Sequence, residues 1–261
     1  MLEPKQRVSI ADRLWAAERD RAPVDPLTAA FPGIDVVDAY EIQLHNVRRR
    51  IDAGERILGH KVGLSSPVMQ QMMGVDEPDY GHLLDTMALA EETPVAVDDY
   101  CSPRIEVEIG YVLGAALPGA DCTEEDVLAA TEYVAPALEL IDSRIRDWEI
   151  GLADTIADNA SSAGVLLGAD RVRPGEQDLA DIRATLSHDG AEVAEGSTEA
   201  VLGDPTRAVA WLARKVADFG VTLEAGHVIL PGSCTRAVDV RPGGTFRAEF
   251  SGLGSVTVRF E

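Results

Sequence analysis

The sequence predicts a mixed α/β fold of the α+β type, in which helices come first and a central curled, barrel-like sheet follows. Helical periodicity dominates the first part of the chain, runs of strand length follow it, and hairpin signals near the end indicate antiparallel pairing. The elements do not repeat as strand, helix, strand. A doubly wound parallel sheet is therefore not expected.

Two helices are predicted at the start of the chain. A short one could be capped by Ser9 and run to Arg19. A longer one is predicted from about Asp35 to Ala53, because apolar side chains recur there at steps of three and four residues and Gly54 stands where a glycine often ends a helix. Each helix should pack one apolar stripe against the rest of the protein.

Strands and short helices alternate irregularly over the middle of the chain. Ser66 and Pro67 suit the cap and the first position of a short helix that Gly74 would end. Thr123 should cap another helix, which runs to about Glu132. Strands are predicted at Ile57–Leu64, Arg104–Leu113, Val134–Ile141 and Gly164–Leu167, and Asp76–Leu84 is predicted to be a loop.

The last part of the chain combines hairpin strands with one helix. Asp189-Gly190 is a strong signal for a two-residue hairpin loop between two strands. Asp204-Pro205 should open a helix that Gly220 ends. Further strands are predicted at Arg183–His188, Ala191–Ala194, Val228–Leu230, Thr245–Phe250 and Ser255–Phe260.

Composition and charge limit the possible functions. The 261 residues are 46% hydrophobic and 26% charged, which is ordinary for a globular domain. The formal net charge of −22 argues against nucleic acids and anionic membranes as partners, because their phosphates would be repelled. An acidic protein that binds an acidic substrate needs a local positive charge.

The sequence shows no targeting segment, no membrane-spanning segment and no motif for a nucleotide or a zinc ion. Its start is charged, no apolar run is long enough to span a bilayer, and no glycine-rich phosphate loop follows a strand. Cys101, Cys122 and Cys234 lie far apart and form no CxxC pair, so disulfides and zinc thiolates are not expected. We therefore predict a cytoplasmic protein.

Two glutamates alternate with apolar residues in the predicted strand at Arg104–Leu113. Because alternate side chains of a strand share a face, Glu106 and Glu108 should lie together, about 6.6–6.8 Å apart along the strand. At an effective dielectric of about 20, their repulsion would be roughly 2–3 kcal/mol. A solvent-exposed polar face would also explain this pair taken alone.

A third glutamate lies in an apolar segment. Glu139 falls within Val134–Ile141, where an ionised carboxylate needs a partner because burial alone is costly. An arginine could be that partner, and Arg104, Arg144 and Arg146 are candidates. A divalent cation would instead serve all three carboxylates at once, and three carboxylates suit Mg²⁺ or Mn²⁺. The residues alone support a metal site about as well as an arrangement without a metal.

Other polar residues could complete a site for a small oxo acid. Lys61 follows an apolar run and could bind a substrate carboxylate or move a proton. Asp79 and His82 offer acid–base groups, although loop residues are most often simply solvated. Ser161 and Ser162 could donate hydrogen bonds to a carboxylate, or could only shape a turn.

Several segments together resemble one known enzyme family. They are Gly59-His60-Lys61-Val62-Gly63-Leu64, Pro78-Asp79-Tyr80-Gly81, Glu106-x-Glu108, Glu139-Leu140-Ile141-Asp142, Ile156-Ala157-Asp158-Asn159-Ala160-Ser161-Ser162 and Leu230-Pro231-Gly232-Ser233. In these motifs the chain resembles the 2-keto-4-pentenoate (2-hydroxypenta-2,4-dienoate) hydratases of the fumarylacetoacetate hydrolase superfamily. The resemblance extends from about Asp35 to the C-terminus.

The resemblance implies a fold with a central β-roll, like the fumarylacetoacetate hydrolase C-terminal domain. We expect a single catalytic domain over residues 1–261, with a helical region 1–55 and a β-roll catalytic region 56–261. The implied enzyme is a hydro-lyase that adds water to 2-hydroxypenta-2,4-dienoate (2-oxopent-4-enoate) and gives 4-hydroxy-2-oxopentanoate. The implied pathway is meta-cleavage catabolism of aromatic or steroid compounds.

The resemblance also implies roles for particular residues. Mg²⁺ or Mn²⁺ would be held by Glu106, Glu108 and Glu139, and Lys61 and Asp79 would carry the proton steps. The candidate substrate-binding residues are His82, Leu84, Ser161 and Ser162. A homo-oligomer is implied, a pentamer or decamer, and a complex with a decarboxylase or a downstream aldolase is a further possibility.

Three alternatives remain open from the sequence. A 2-oxo-3-hexenedioate (4-oxalocrotonate) decarboxylase would share the metal site but needs a pocket for a second carboxylate. A C–C bond hydrolase would need a water-activating His–Glu pair, which we do not find near the two glutamates. A non-catalytic scaffold or partner subunit is the third alternative.

Overall fold

The computed structural model describes the backbone of residues 1–261 and all side chains apart from those of Met72 and Met73. The α-helices are α1 Pro4–Asp20, α2 Leu27–Ala30, α3 Val36–Asp52, α4 Pro67–Met73, α5 Glu124–Ala130, α6 Leu152–Ala157 and α7 Pro205–Ala217. The strands are β1 Ile57–Gly63, β2 Asp79–Leu84, β3 Pro103–Leu113, β4 Thr131–Asp142, β5 Ser162–Leu167, β6 Arg183–His188, β7 Ala191–Ser197, β8 Val228–Leu230, β9 Val238–Asp239, β10 Thr245–Phe250 and β11 Gly254–Arg259.

The strands form two sheets. The larger one has seven strands in the order β2-β1-β8-β3-β4-β5, with β9 also paired to β3, and it curls into a half-barrel. Its neighbours are antiparallel except for β1 and β8, which run parallel. The smaller sheet is antiparallel, in the order β11-β10-β6-β7. The predicted mixed α/β fold with a curled sheet is therefore confirmed.

The two N-terminal helices agree with the sequence to different degrees. Helix α3 begins after Asp35, whose side chain accepts from the Asp38 amide at 2.8 Å, as the capping signal predicts. The prediction that Ser9 begins the first helix is wrong, because α1 already begins at Pro4. Proline suits a first helical turn since its missing N–H would have no helical partner there.

One predicted loop is a strand. The prediction of a loop at Asp76–Leu84 is wrong for most of that range, because Asp79–Leu84 forms β2, which pairs with β1 along its length. Gly81 suggests a turn in the sequence, yet it lies inside this strand. A Cβ atom at Gly81 would lie 2.4 Å from the Asn159 carbonyl oxygen, so the glycine makes room for another part of the backbone.

The remaining elements follow the predictions closely, with short exceptions. The hairpin loop at Asp189 and Gly190 has φ values of 50° and 82°, as a type I′ turn requires. Helix α5 ends at Ala130 rather than near Glu132, because β4 begins directly after it. Helices α2 and α6 and strand β9 were not predicted, since each is too short to show a clear period.

The buried apolar residues form two clusters. The larger one fills the space between the sheets and the helices. The smaller one includes Leu83, Val112 and Leu230 and lies on the face of the large sheet that also carries the glutamates. Among the described elements, none is a helix long and apolar enough to cross a membrane.

Candidate metal and proton-transfer site

Two neighbouring strands bring the three glutamates together. Glu106 on β3 lies directly opposite Glu139 on β4, and Glu108 follows two residues along the same face. One carboxylate oxygen from each of the three residues lies within 4.8 Å of the others. The convergence expected from the strand alternation and from the apolar surroundings of Glu139 is therefore present.

These carboxylates are largely withdrawn from water. Glu108 and Glu139 have no exposed surface, and Glu106 is partly buried. The Gly232 amide donates to Glu108 Oε2 at 2.7 Å. The other oxygen of Glu108 and both oxygens of Glu139 have no hydrogen-bond partner among the described residues. Buried acceptors without partners are costly, so a bound cation or protonation would stabilise this cluster.

The electrostatic cost appears in the pKa values of the three side chains. Burial raises the pKa of Glu139 to about 7, although Lys61 opposes the rise. Burial and the charges of Glu139 and Glu106 raise the pKa of Glu108 well above its usual value. The pKa of Glu106 is also raised by burial. Each carboxylate therefore resists ionisation until a positive charge compensates it.

The three arginines considered as partners of Glu139 do not reach it. Each pairs with an aspartate elsewhere. The pairs are Arg104 with Asp239 at 2.9 Å, Arg144 with Asp158 at 2.5 Å, and Arg146 with Asp25 at 3.0 Å. This removes the arginine alternative for Glu139.

Lys61 supplies the positive charge inside the cluster. Its Nζ atom lies 3.4 Å from Glu139 Oε2 and donates to the Ala160 carbonyl oxygen at 2.9 Å. Burial alone would lower the pKa of Lys61, but the carboxylates, led by Glu139 and Glu106, outweigh burial and raise it. The carboxylates therefore favour the ammonium form of Lys61, which is a local positive charge within an acidic protein.

The donor set fits a divalent cation. One ammonium cannot balance three converging carboxylates, and two full charges 4.8 Å apart repel by roughly 3 kcal/mol at an effective dielectric of about 20. The unpartnered oxygens of Glu108 and Glu139 are carboxylate ligands of the kind that hard cations such as Mg²⁺ and Mn²⁺ prefer. Glu106, Glu108 and Glu139 are thus the residues that would hold such an ion.

Asp79 borders the same cluster. It pairs with Gly63 across β1 and β2, so its side chain lies on the face that carries Lys61. A Cβ atom at Gly63 would lie 2.1 Å from Asp79 Oδ1, which shows how closely the carboxyl group crosses that strand. Oδ1 is buried and has no partner among the described residues, and burial raises the pKa of Asp79 despite nearby Lys61.

The structure does not bring His82 and Leu84 into this cluster. Both alternate with Asp79 along β2, so their side chains lie on the opposite face of the strand. His82 Nδ1 bonds Gln43 Oε1 on α3 at 2.9 Å, and its ring packs near His60. Leu84 lines a small cavity of about 30 Å³ between α1, α3 and the segment before β5. The geometry therefore does not support direct substrate contact by these two side chains.

Ser161 lies directly before β5 and Ser162 is its first residue, and both follow Ala160, whose carbonyl accepts from Lys61. Their hydroxyl oxygens are buried and lack hydrogen-bond partners among the described residues. The three residues Asn159, Ala160 and Ser161 have φ values of 56°, 48° and 55°. We call residues 159–161 the left-handed turn. Its Ala160 carbonyl is the group that accepts from Lys61.

Sequence reasoning missed the groups that belong to the backbone. The Ala160 carbonyl accepts from Lys61 and the Gly232 amide donates to Glu108. Backbone groups of this kind cannot be recognised from the side chains in a sequence. It also missed the role of Arg144, which holds the segment around the left-handed turn. The sequence signal for these backbone groups is that Ala160 and Gly232 lie in two of the motifs that carry the family resemblance.

Comparisons with known proteins show what the whole chain is similar to. A family model described as fumarylacetoacetate (FAA) hydrolase C-terminal matches residues 67–261. A 2-keto-4-pentenoate hydratase from Paraburkholderia xenovorans (strain LB400) is 43% identical over 260 residues, which cover 100% of this chain and 97% of that protein. A 2-oxo-hept-4-ene-1,7-dioate hydratase from Escherichia coli is 42% identical over 266 residues, 100% of each chain.

A solved structure also matches the whole chain. It is the 4-oxalocrotonate decarboxylase from Pseudomonas putida G7, complexed with magnesium and adipate, which has a TM-score of 0.95 and 36% sequence identity. The match covers 100% of this chain and 99% of that one. Both the fold and the full length of the chain are therefore shared with characterised relatives.

Proposed function

The chain belongs to the fumarylacetoacetate (FAA) hydrolase family, and from this premise we propose that it is a divalent-metal-dependent hydratase acting on 2-hydroxypenta-2,4-dienoate. The product is 4-hydroxy-2-oxopentanoate. The observation that carries the proposal is the convergence of Glu106, Glu108 and Glu139 beside the ammonium of Lys61. Relatives named as hydratases at 42–43% identity over the full chain support the reaction type.

The reaction consists of proton transfers and one addition of water. The 2-hydroxyl group of the dienol loses a proton and C5 gains one, which gives a conjugated 2-oxo acid. Water then adds its oxygen at C4, and C3 gains a proton. A divalent ion held by the three glutamates would supply the electron withdrawal at the 2-oxo group that makes both steps easier. We propose Mg²⁺ or Mn²⁺ for this role.

The chain's own residues would bind the substrate and move the protons. The Lys61 ammonium, which lies between Glu139 and the Ala160 carbonyl, would bind the substrate carboxylate or give up a proton. Asp79 is the second candidate, since its buried Oδ1 is unpartnered and its raised pKa favours proton exchange. The Ser161 and Ser162 hydroxyls are buried donors for substrate oxygens.

The cellular setting is part of the proposal. We propose that the enzyme acts in the cytoplasm, in the catabolism of aromatic or steroid compounds after ring cleavage, and assembles as a pentamer or decamer. We also propose a complex with a decarboxylase that would supply the dienol, or with a downstream aldolase that would consume the product. The free thiols of Cys101, Cys122 and Cys234 fit a reducing compartment.

The purified chain tests the proposed reaction directly. Freshly prepared 2-hydroxypenta-2,4-dienoate is added with Mg²⁺ or Mn²⁺, the loss of dienol absorbance is followed, and the product is identified by NMR. We expect turnover that EDTA abolishes. Replacing Glu106 and Glu108 together by Gln should also abolish it while the circular dichroism spectrum stays unchanged. The matched control replaces Glu124 and Glu125, two exposed glutamates at the start of α5, by Gln.

The similarity to a solved decarboxylase structure supports decarboxylation as a second candidate reaction. The decarboxylase at 36% identity covers the whole chain, so 2-oxo-3-hexenedioate is the second substrate to test. Release of CO₂ from this dicarboxylate, with no hydration of the five-carbon dienoate, would replace the hydratase assignment by the decarboxylase. Full hydratase activity in the double Gln variant would contradict the proposed metal site.

A further inference from the structure

The left-handed turn has a backbone that its own residues do not favour. Asn159, Ala160 and Ser161 have φ between 48° and 56°, and none of them is glycine, the residue that adopts this conformation without steric cost. Consecutive residues of this kind persist only where the surroundings hold them in place. Contacts with the surrounding residues must therefore hold the turn in this conformation.

The turn meets the proposed site through one carbonyl group. Ala160 accepts from Lys61 Nζ at 2.9 Å, while the same nitrogen lies 3.4 Å from Glu139 Oε2. The position of the ammonium depends on the turn as much as on the carboxylate. A shift of the turn by about an ångström would move the ammonium relative to a bound substrate, and errors of that size commonly slow catalysis.

Asn159 fastens one side of the turn to β2. The His82 amide donates to Asn159 Oδ1 at 2.8 Å, and Asn159 Nδ2 donates to the His82 carbonyl at 2.9 Å. The backbone of the turn lies directly over Gly81, where no side chain intervenes. This side of the turn therefore follows the edge strand of the large sheet.

Arg144 fastens the other side. Its buried side chain donates from Nε to Asp158 Oδ1 at 2.5 Å, and one terminal nitrogen donates to the Asp158 carbonyl. The other terminal nitrogen donates to the Ser162 carbonyl at 3.3 Å and to the Asp142 carbonyl at 2.6 Å. One guanidinium thus holds both residues that flank the turn, and ties them to the end of β4.

We propose that Arg144 is a positioning residue for the reaction: by holding both ends of the left-handed turn, it fixes the Ala160 carbonyl and through it the Lys61 ammonium. Among the described residues, Arg144 forms no hydrogen bond or ion pair with the three glutamates or Lys61, so its polar contacts act through the turn. The catalytic part of this inference rests on the proposed function. Its structural part does not.

The shape of the guanidinium group makes the requirement specific. A planar fork with five N–H donors can bond several acceptors that lie in different directions, whereas a lysine ammonium is a single point at the end of a flexible chain. Arg144→Lys keeps the charge that Asp158 needs but cannot reach the carbonyls of Asp142, Asp158 and Ser162 together. The substitution therefore loosens the turn without leaving a buried charge unpaired.

The test compares Arg144→Lys with Arg146→Lys in the full-length protein. Arg146 is the matched control, since it lies two residues further on and pairs with Asp25 on the surface. For Arg144→Lys we expect kcat to fall on the order of 10- to 100-fold, while KM and the Mn²⁺ dissociation constant stay within about threefold of wild type. Arg146→Lys should behave as wild type in all three.

Hydrogen exchange provides a readout that does not depend on activity. Peptides that cover residues 156–163 should exchange faster in Arg144→Lys than in wild type, while peptides of β3 should not change. If wild type hydrates no dienoate, the proposed function fails, and this exchange result still decides the structural part. Unchanged kcat in Arg144→Lys, or unchanged exchange over residues 156–163, would overturn the proposal.

A second variant covers the case in which Arg144→Lys does not fold. Asp158→Asn keeps the size of the side chain and removes the charge that Arg144 bonds. It should also lower kcat with little change in KM. If both variants fold, their double mutant should be no slower than the slower single variant, because both act on the same turn. Wild-type kcat in a folded Asp158→Asn protein would overturn the proposal.

Discussion

At Glu139, burial and charge act against each other. The side chain has no exposed surface and both its oxygens lack hydrogen-bond partners among the described residues, while Lys61 lies only 3.4 Å away. Burial still dominates, since the pKa of Glu139 rises to about 7 from an ordinary value of 4.5. Ionisation of Glu139 therefore destabilises the metal-free protein even beside Lys61, and a bound cation would offset that cost.

The substitution Glu139→Gln should therefore have opposite effects on stability and on metal binding. Because the pKa of the folded protein lies above that of the unfolded chain, the stability that this carboxyl contributes is present at low pH and is lost as pH rises through about 7. In EDTA at pH 8, Glu139→Gln should raise the free energy of unfolding by about 1–3 kcal/mol. At pH 4 the effect should be small.

Metal binding should change in the other direction. Removing a ligand should weaken Mn²⁺ binding at least tenfold, since the loss of supporting groups around a ligand already costs about 10- to 100-fold. Urea denaturation and titration calorimetry measure the two effects. Glu132→Gln is the control, because Glu132 lies on the same strand and is exposed. Unchanged Mn²⁺ affinity in Glu139→Gln would contradict the assignment of this residue as a ligand.

Strand β2 shows what an element contributes beyond its own side chains. It forms one edge of the large sheet, and its Asp79 borders the candidate site. At Gly81 the absence of a side chain allows the backbone of the left-handed turn to approach closely. The His82 backbone also bonds both polar atoms of the Asn159 side chain. The strand and the turn therefore hold each other in place.

A methyl group at Gly81 should push strand β2 and the left-handed turn apart. In Gly81→Ala the new Cβ atom would lie 2.4 Å from the Asn159 carbonyl oxygen, so the turn or the strand must move. We expect a loss of about 1–3 kcal/mol in the free energy of unfolding and a lower kcat with the metal site still present. Gly33→Ala is the control, because nothing lies within 4 Å of a Cβ atom there.

Urea denaturation, initial rates and Mn²⁺ titration of the two alanine variants measure these effects. A Gly81→Ala protein as stable and as active as Gly33→Ala would show that the close approach of turn and strand has no consequence. The same three measurements also separate displacement of the turn from loss of the metal site, since only the latter would weaken Mn²⁺ binding.

The elements that the sequence predicts are those with local causes. Helix α3 has a capping aspartate and a helical period, and β3 alternates strictly, so both could be located from the sequence. Strand β2 and the left-handed turn could not, because each depends on the backbone of the other. The convergence of Glu139 with the two glutamates of β3 could be inferred only as one of two alternatives, since it depends on strand register.

Across the whole molecule, the helices near the N-terminus are joined to the sheet through a polar contact as well as through the apolar core. Gln43 on α3 donates from Nε2 to the Tyr80 carbonyl at 3.0 Å and to the Ile156 carbonyl at 2.8 Å. Its Oε1 atom bonds the His82 ring at 2.9 Å. One side chain thus connects α3 to β2 and to α6, the helix before the left-handed turn.

We therefore predict that residues 1–261 unfold as one domain, although all three glutamates lie in the region 56–261. Far- and near-ultraviolet circular dichroism should give one coincident thermal transition. A divalent cation at about 100 times its dissociation constant should shift the whole transition, adding about 2.7 kcal/mol. A fragment of residues 56–261 would expose the apolar surfaces that contact α1 and α3 and would lose Gln43, so it should not bind Mn²⁺. Two separate transitions, or a fragment with full Mn²⁺ affinity, would show instead that the β-rich region folds and forms its site alone.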